Sequence, residues 1–490
     1  MTSLRKNYIL SLITQTVTVI CPLIVTPFVA RRLLADNIGI FSFTESIVFI
    51  FSLFALLGSQ THGQREIAYC QGNKRKQLQT FAEIFLTSGI TTGIVLAGYI
   101  VYTLLQTKYQ LIYWIQVLEL IAFHWDIGWF YQGKEDFKSL LYRNFLVKML
   151  YIILIFSFIR SPEDLPLYVL FRVGTFLVGG ATLLCPVFFQ CWKEKIRVSF
   201  SAVPYHIKKM IPLFIPQIAI QVYTVLDKTM IGVITQSPYQ NGCYEEAMKV
   251  IRVLMNFVGA AAGVLMPRIA SLHAAGNTEE IRKKLSMGIR FVCLITLPMI
   301  VGVIIVAPIF MPWFLGPGFD DTVILLQTLG VLFLVIGIGR VTGSCLLAVK
   351  KENLYTRNVC IGAVMNFLLN LWLINRYQAQ GAAIASVIAE VIVTALMFYE
   401  CRHYLNAGKT VKMFSLYLLC AAAMTGFLMA IINCITLNAF WKLSILSISG
   451  AVMYGAVLLV IKDDLIYSVI KTLFRKFTDS FRKNIKEDCK

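Results

Sequence analysis

The sequence predicts an all-α integral membrane protein of about fourteen transmembrane helices. Two pseudo-symmetric six-helix lobes are expected, with two further helices at the C-terminal end. Three observations carry this reading: a composition too apolar for a soluble chain, long apolar runs joined by short loops of alternating basicity, and a weak internal repeat.

Of the 490 residues, 58% are hydrophobic and 14% are charged, against roughly 25% charged in soluble domains. The mean hydropathy is +0.72. The formal net charge of +19 would suggest nucleic acid in a soluble protein. Here the positive charge lies in short loops, so topology accounts for it and no nucleic-acid partner is expected. The twelve cysteines form no C-x-x-C and the five histidines are dispersed, so neither a metal site nor a redox pair is indicated.

A helix needs about 20 apolar residues to cross a bilayer. Candidate spans lie at 8–30, 38–60, 80–105, 111–131, 142–160, 165–190, 210–234, 245–272, 289–315, 322–348, 357–376, 379–404, 412–435 and 440–461. The first run, Tyr8 to Ala30, is too long for a signal-peptide core and is read as a retained helix. Loops on one side carry Arg65, Lys74, Arg75, Lys76, Lys134, Lys138, Lys193, Lys195, Arg197, Arg282, Lys283, Lys350 and Lys351; the other side holds little beyond Arg31, Arg32, Lys108, Arg160, Arg376 and Lys442. This asymmetry places both termini in the cytoplasm. No loop is long enough to form a catalytic domain. In the tail, 462–490, an apolar face (Leu465, Val469, Leu473, Phe477) beside Lys471, Arg475 and Lys476 suggests a basic amphipathic helix on the inner membrane surface.

The repeat pairs residues 39–65 with 242–268. Each runs from Gly-x-aromatic (Gly39, Phe41; Gly242, Tyr244) to an arginine (Arg65; Arg268) at identical spacing, with Gly-Asn following (Gly72, Asn73; Gly276, Asn277). KEDF (134–137) and KENL (351–354) form a second echo. Helices 1–6 (1–192) and 7–12 (210–405) are therefore read as two copies of one unit. Residues 193–209 would be a cytoplasmic linker, 406–461 would carry helices 13 and 14, and 462–490 the tail.

Charged residues at hydrocarbon depth cost about 3 kcal/mol each on insertion scales, so they are expected to face protein or a wet cavity. The candidate cationic cavity residues are Arg31, Arg172, Lys228, Arg252 and Arg340. The candidate cavity acids or ion-coupling groups are Glu45, Glu119, Asp126, Asp227 and Glu390. Lys148, a turn from the inner surface, is read as snorkelling. Asp227 and Lys228 are neighbours about 100° apart on a helix and need not touch. Interhelical ion pairs are the competing reading for each residue singly; the spread of cations through the depth of one structure suits an anionic ligand that moves. Pro22 and Pro27, and Pro212 and Pro216, fall in the first helix of each half, where they would kink it. No phosphate-binding glycine loop, H-E-x-x-H or G-x-S-x-G occurs, so no catalytic residues are assigned and no enzyme is expected. Asp320-Asp321 after GPGF is read as a solvated turn.

PLIVTPFVARRLLADNIGIFSF (22–43), DIGWFYQGKEDFKSLLYRN (126–144), PLFIPQIAIQVYTVLDKTMIG (212–232), LMPRIA (265–270) and GAAIASVIAE (381–390) resemble the polysaccharide-transporter branch of the multidrug/oligosaccharidyl-lipid/polysaccharide exporter superfamily, the Wzx-type flippases. The resemblance covers about residues 5 to 460. It implies a MATE-like fold in the bacterial inner membrane, flipping undecaprenyl-diphosphate-linked oligosaccharide repeat units by alternating access for capsule, O-antigen or exopolysaccharide synthesis. Coupling to H+ or Na+ without a bound cofactor is implied, as are contacts with membrane lipid, a polysaccharide polymerase and chain-length machinery. Leu34 and Ala35 stand where the family pattern suggests a glycine. The alternatives are another exporter of the superfamily, lipid II flippase-like or multidrug, or a membrane glycosyltransferase or polymerase.

Overall fold

The computed structural model describes the backbone of residues 2–405, 407–464 and 467, and side chains from Cys21 onward except at positions within 216–224, 257–264 and 406–409. Most of the tail read as amphipathic therefore lies outside the described residues.

Among the described residues the regular structure is helical. The helices are α1 (Thr2–Leu56), α2 (Ser59–Tyr69), α3 (Lys74–Leu105), α4 (Gln110–Trp125), α5 (Gly128–Gly133), α6 (Phe137–Phe158), α7 (Leu165–Lys193), α8 (Val203–Thr235), α9 (Pro238–Ala274), α10 (Thr278–Leu315), α11 (Asp321–Leu329), α12 (Leu332–Ala348), α13 (Glu352–Glu400), α14 (Ala407–Ile432) and α15 (Ala439–Val460). Nine helical stretches among the described residues are long and apolar enough to cross a membrane. The protein is a multi-pass membrane protein.

α1 has 55 residues, about 80 Å if straight, far beyond a hydrocarbon core of about 30 Å. It is broken at Leu34 (φ 65°, ψ 171°), a backbone conformation that favours glycine. α13 is broken the same way at Gln378 (φ 52°, ψ −132°). Tyr109 and Gln236 also take positive φ, between α3 and α4 and between α8 and α9. On the side poor in basic residues the breaks at Leu34 and Gln378 and the two-residue turn at Gln236 and Ser237 are thus very short, while Tyr109 closes a four-residue turn, 106–109. The connection expected at 235–244 shrinks accordingly: α9 starts at Pro238, so Glu245 stands two turns inside it.

The two Gly-Asn pairs adopt one local design. Gly72 and Gly276 have φ of 85° and 70°, and the side chains of Asn73 and Asn277 each accept a backbone N–H three residues on, at 3.0 Å. This caps the next helix and ends the previous one in a left-handed turn. The second echo is out of register by letter. Glu135 and Lys350 are the matching left-handed positions, each followed by an N–H that bonds five residues back (Asp136 to Tyr131, Lys351 to Leu346).

By contact density the chain divides into two units. The first comprises Met1–Val253, Phe314–Leu325 and Thr356–Ala389; the second comprises Leu254–Trp313, Leu326–Tyr355 and Glu390–Lys490. In the first unit the motif DIGWFYQG ends α4. Asp126 caps it, its Oδ1 accepting the Gly128 N–H at 3.2 Å. Trp129, Phe130 and Tyr131 then pack with Ile67, Phe81 and Leu183 in an aromatic core, and the Tyr131 hydroxyl donates to the Leu183 carbonyl at 2.9 Å. In the second unit Arg290 donates to Asp463 at 2.7 Å and to the Tyr417 hydroxyl at 2.9 Å, and Tyr417 donates to Asp463 at 2.8 Å. This knot ties α10 and α14 to the segment after α15.

The repeat glycines meet each other. A Cβ on Gly39 would lie 1.7 Å from the Pro238 carbonyl oxygen, and one on Gly242 would lie 2.0 Å from the Ala35 carbonyl oxygen. The second arm of α1 and the start of α9 touch backbone to backbone, an approach that small residues permit in membranes. We therefore expect Gly39→Ala and Gly242→Ala each to lower thermal stability in detergent, by about 1–3 kcal/mol for an overpacked contact. Gly93→Ala, with open space around it, is expected to be neutral or slightly stabilising.

Candidate functional site: a buried chain of ion pairs

Lys228 lies on α8 seven residues before its end and Arg172 on α7 seven residues after its start; each is about 10 Å from the nearer terminus. Glu45 stands 11 residues past the break in α1, about 16 Å in. Glu245 is about 10 Å into α9 and Arg252 about 21 Å. All these helix ends lie on the side poor in basic loops, and the five groups stand about two to four turns inside their helices.

They form one connected chain. Arg172 Nη2 bonds Glu45 Oε1. The Lys228 ammonium donates to Glu45 Oε2 at 3.1 Å and lies 3.7 Å from Glu245 Oε2. Arg252, two turns along α9, reaches back to Glu245 Oε1. Each carboxylate is shared between two cations, and three cations alternate with two anions to leave one net positive charge. Exposure grades along the chain. The interior side chains are 10% (Lys228), 17% (Glu45) and 9% (Glu245) exposed, whereas Arg172 and Arg252 at the ends are 40% and 48% exposed. Arg172 also lies over the Phe41 ring at 4.7 Å. Lys249 and Glu246 pair alongside at 2.6 Å.

Supporting bonds hold Lys228 in place. Asn241 donates to the Lys228 carbonyl at 2.7 Å, Thr229 to Ser46 at 2.8 Å, and Gly232 leaves room for the Phe43 ring, which a Cβ would meet at 2.1 Å.

Asp227 turns the other way, as the angular separation of neighbouring helical residues allows. Its carboxylate is buried and accepts three hydrogen bonds: from the Tyr244 hydroxyl at 2.6 Å, Asn370 at 2.7 Å and Ser386 at 2.5 Å. Asn370 also donates to Asn366 Oδ1 at 3.2 Å, and Asn370 Oδ1 is buried with no hydrogen-bond partner among the described residues. α8, α9 and both arms of α13 thus gather a cluster of side-chain oxygens.

Glu119, buried on α4, lies close enough to Arg172, Glu45 and Lys228 to interact electrostatically with all three; among the described residues its Oε2 and both amide atoms of Gln116, one turn away, have no hydrogen-bond partner. The remaining predicted residues are dispersed. Asp126 is at the end of α4 rather than inside a span, because that helix stops at Trp125; it pairs with Arg143 at 2.8 Å. Arg31 is exposed, its stem lying over Gly316 in the GPGF turn. Arg340 (exposed) and Glu390 (half-buried) belong to the second unit. Asp321, expected to be solvated, instead accepts from Gln240 at 2.7 Å, and Gln240 Oε1 accepts the Ala379 N–H at 3.2 Å. Sequence reasoning missed Glu245, Asn366, Asn370 and Ser386. Glu245 was hidden by starting the helix at 245 instead of Pro238; the amides and the serine carry no charge to flag them.

The fold is that of a helical membrane transporter. It resembles the lipid II flippase MurJ in its inward closed conformation, with a TM-score of 0.73 at 15% identity over 94% of this chain and all of that one. It also resembles the inward-facing conformation of a multidrug resistance MATE family transporter of the MOP superfamily, with a TM-score of 0.53 at 13% identity over 78% of this chain and 94% of the other. In sequence, the putative O-antigen transporter of Escherichia coli (strain K12) is 26% identical over 410 residues, covering 82% of this chain and 97% of that protein. Residues 4–273 match the family described as polysaccharide biosynthesis protein. The chain belongs to that family.

Breaking a buried pair by removing one partner costs about 3–5 kcal/mol. Glu45→Gln is expected to destabilise the protein in that range, and more than Arg252→Gln, whose side chain is half in solvent. A double-mutant cycle between Glu45→Gln and Lys228→Gln, read by thermal unfolding, should show coupling of about 1 kcal/mol or more. Additive losses would contradict a shared pair.

Proposed function

We propose that the protein is a flippase that carries polyprenyl-diphosphate-linked oligosaccharide repeat units across the bacterial inner membrane, and that it is no enzyme. The observation that carries the reading is the ion-pair chain with half-exposed arginines at its two ends. A diphosphate at hydrocarbon depth needs compensating positive charge. A guanidinium engaged with a carboxylate through one nitrogen keeps other N–H groups for a phosphate oxygen. Arg172 and Arg252 stand at opposite ends of the chain, one on Glu45 and the other on Glu245, so they offer successive partners. Lys228 between two carboxylates can shift toward either as a phosphate takes one arginine. The net charge of +1 attracts the ligand without the field that an unneutralised cluster would exert. Arg31 extends this set as a further cationic station and Glu119 as a polar group of the route; Arg340 and Glu390 are the corresponding cationic and acidic candidates of the second unit.

Alternating access between two six-helix lobes, in a layout of about fourteen spans, agrees with the matching Gly-Asn caps and the repeated short turns. Both termini are assigned to the cytoplasm from the basic loops. Polymerase and chain-length proteins are the natural recipients of the flipped unit. A drug exporter of the same fold fits less well, because the buried chain holds more cations than anions and the curated relative bears an O-antigen transporter name.

For coupling, Asp227 with Asn366, Asn370 and Ser386 offers a buried carboxylate and neutral oxygens, a donor set suited to Na+ or a proton. Asp227→Asn should abolish dependence of transport on a Na+ or H+ gradient, measured in proteoliposomes with each gradient imposed in turn. Retained dependence would remove Asp227 from coupling. For the substrate path, Lys228→Gln with Arg252→Gln in a flippase-null strain should cut surface polysaccharide at least about tenfold, a barrier increase of about 1.4 kcal/mol, with the protein present in the membrane. Full polymer output from that double variant would refute the proposed path.

A further inference from the structure

A second feature lies outside the ion-pair chain: an apolar groove of about 970 Å³ in the first unit, walled by α3, the ends of α4 and α7, and the linker that follows α7. Its walls are mainly aromatic, with Phe85, Phe188, Trp192 and Phe200 among them. His124 stacks on Phe85 at 4.2 Å and bonds Ser88 at 3.2 Å.

The linker is shaped to form the mouth. Two residues past the end of α7, Lys195 takes φ 48°, and the Ile196 N–H bonds the Cys191 carbonyl at 3.0 Å. This helix-ending turn sends Ile196 back against the aromatic core. Gln79 then donates to the Arg197 carbonyl at 2.8 Å, pinning the strap to α3. Lys193 and Lys195 are left at the rim, exposed and without an ion pair to any described residue. The nearby acids are engaged elsewhere: Glu194 with Lys74 at 3.2 Å, Glu83 with Gln79 at 2.7 Å and with His206 at 3.4 Å. Trp192 and Phe200 stay 77% and 72% exposed beside the lysines, as aromatic residues do at a membrane interface.

We propose that this groove is a binding site for an anionic glycerophospholipid of the leaflet on the Lys193 side, its phosphate on Lys193 and Lys195 and an acyl chain along Phe85 and Phe188. Basic pockets between helices at that level suit anionic head groups. The length fits as well. Along α3 the groove runs from Phe81 to Ile90, about 14 Å, close to the half-thickness of about 15 Å of a hydrocarbon core. One leaflet's acyl chain fills that length, whereas a polyprenyl chain exceeds it. Among the described residues that line the groove, the hydrogen-bonding side chains are the lysines, His124, Cys191 and Trp192, and His124 Nδ1 is already bonded, so the walls offer an oligosaccharide few hydrogen-bonding groups. The site holds whether or not the protein is a flippase, because it stands on groove geometry and rim charge alone.

The test uses the full chain in phosphatidylcholine nanodiscs doped with bromine-labelled phosphatidylglycerol or bromine-labelled phosphatidylcholine. Quenching at Trp192 is read as the difference between wild type and Trp192→Phe. We expect the anionic lipid to be preferred about tenfold, and Lys193→Gln with Lys195→Gln to bring the two lipids to parity. Gly89→Leu, which projects into the groove from α3, should abolish quenching by either lipid while leaving the lysines in place. Equal quenching by both lipids in the wild type would overturn the proposal, as would displacement of bromine-labelled phosphatidylglycerol by polyprenyl phosphate at equal mole fraction.

Discussion

An ammonium group at hydrocarbon depth must be neutralised where it stands, and the structure around Lys228 is organised to do so. Two carboxylates from different helices, Glu45 and Glu245, flank it. Each in turn holds an arginine, Arg172 or Arg252. Without the acids the lysine would carry an insertion cost of about 3 kcal/mol. Without the arginines the two carboxylates would outnumber their single partner. The chain closes only as a set of five, which is why its members come from the second arm of α1 and from α7, α8 and α9.

Backbone proximity makes that closure feasible. Gly39 and Gly242 bring the second arm of α1 and the start of α9 into direct contact, and Gly232 brings α8 under Phe43. These approaches set Glu45, Lys228 and Glu245 within reach of one another. Asn241 and Thr229 then fix the local backbone and side chains of α8. With Lys228 committed to this side, its neighbour Asp227 is free to face Tyr244, Asn370 and Ser386. Adjacent residues thereby serve two separate polar clusters, one cationic and one rich in oxygen. A transporter that couples an ion to an anionic substrate needs two such clusters on shared helices, so that occupation of one is felt at the other.

The sequence made the fold class and the cationic residues legible for a physical reason: charge inside an apolar run is expensive and therefore conspicuous. Lys228, Arg172, Arg252 and Glu45 stood out on that ground and do come together. The pairing geometry was not legible, because it depends on which helix faces which. Helix starts were harder still. Placing the start of α9 seven residues late left Glu245 at the very end of the span, where a charge is unremarkable. Asn366, Asn370 and Ser386 were invisible because neutral polar residues cost little in a span and are common there. Leu34 is the converse case. The expectation of a glycine at that turn was correct about the backbone, which takes φ 65°, even though the residue is a leucine.

The central claim is that the buried basic chain exists to carry a charged lipid head group. The most direct measurement compares, in proteoliposomes, translocation of a polyprenyl-diphosphate-linked oligosaccharide with that of the same oligosaccharide on a polyprenyl chain through a neutral glycosidic link. The account predicts that the diphosphate form crosses at least about tenfold faster, a difference of about 1.4 kcal/mol in barrier height. Equal rates for the charged and neutral forms would contradict it.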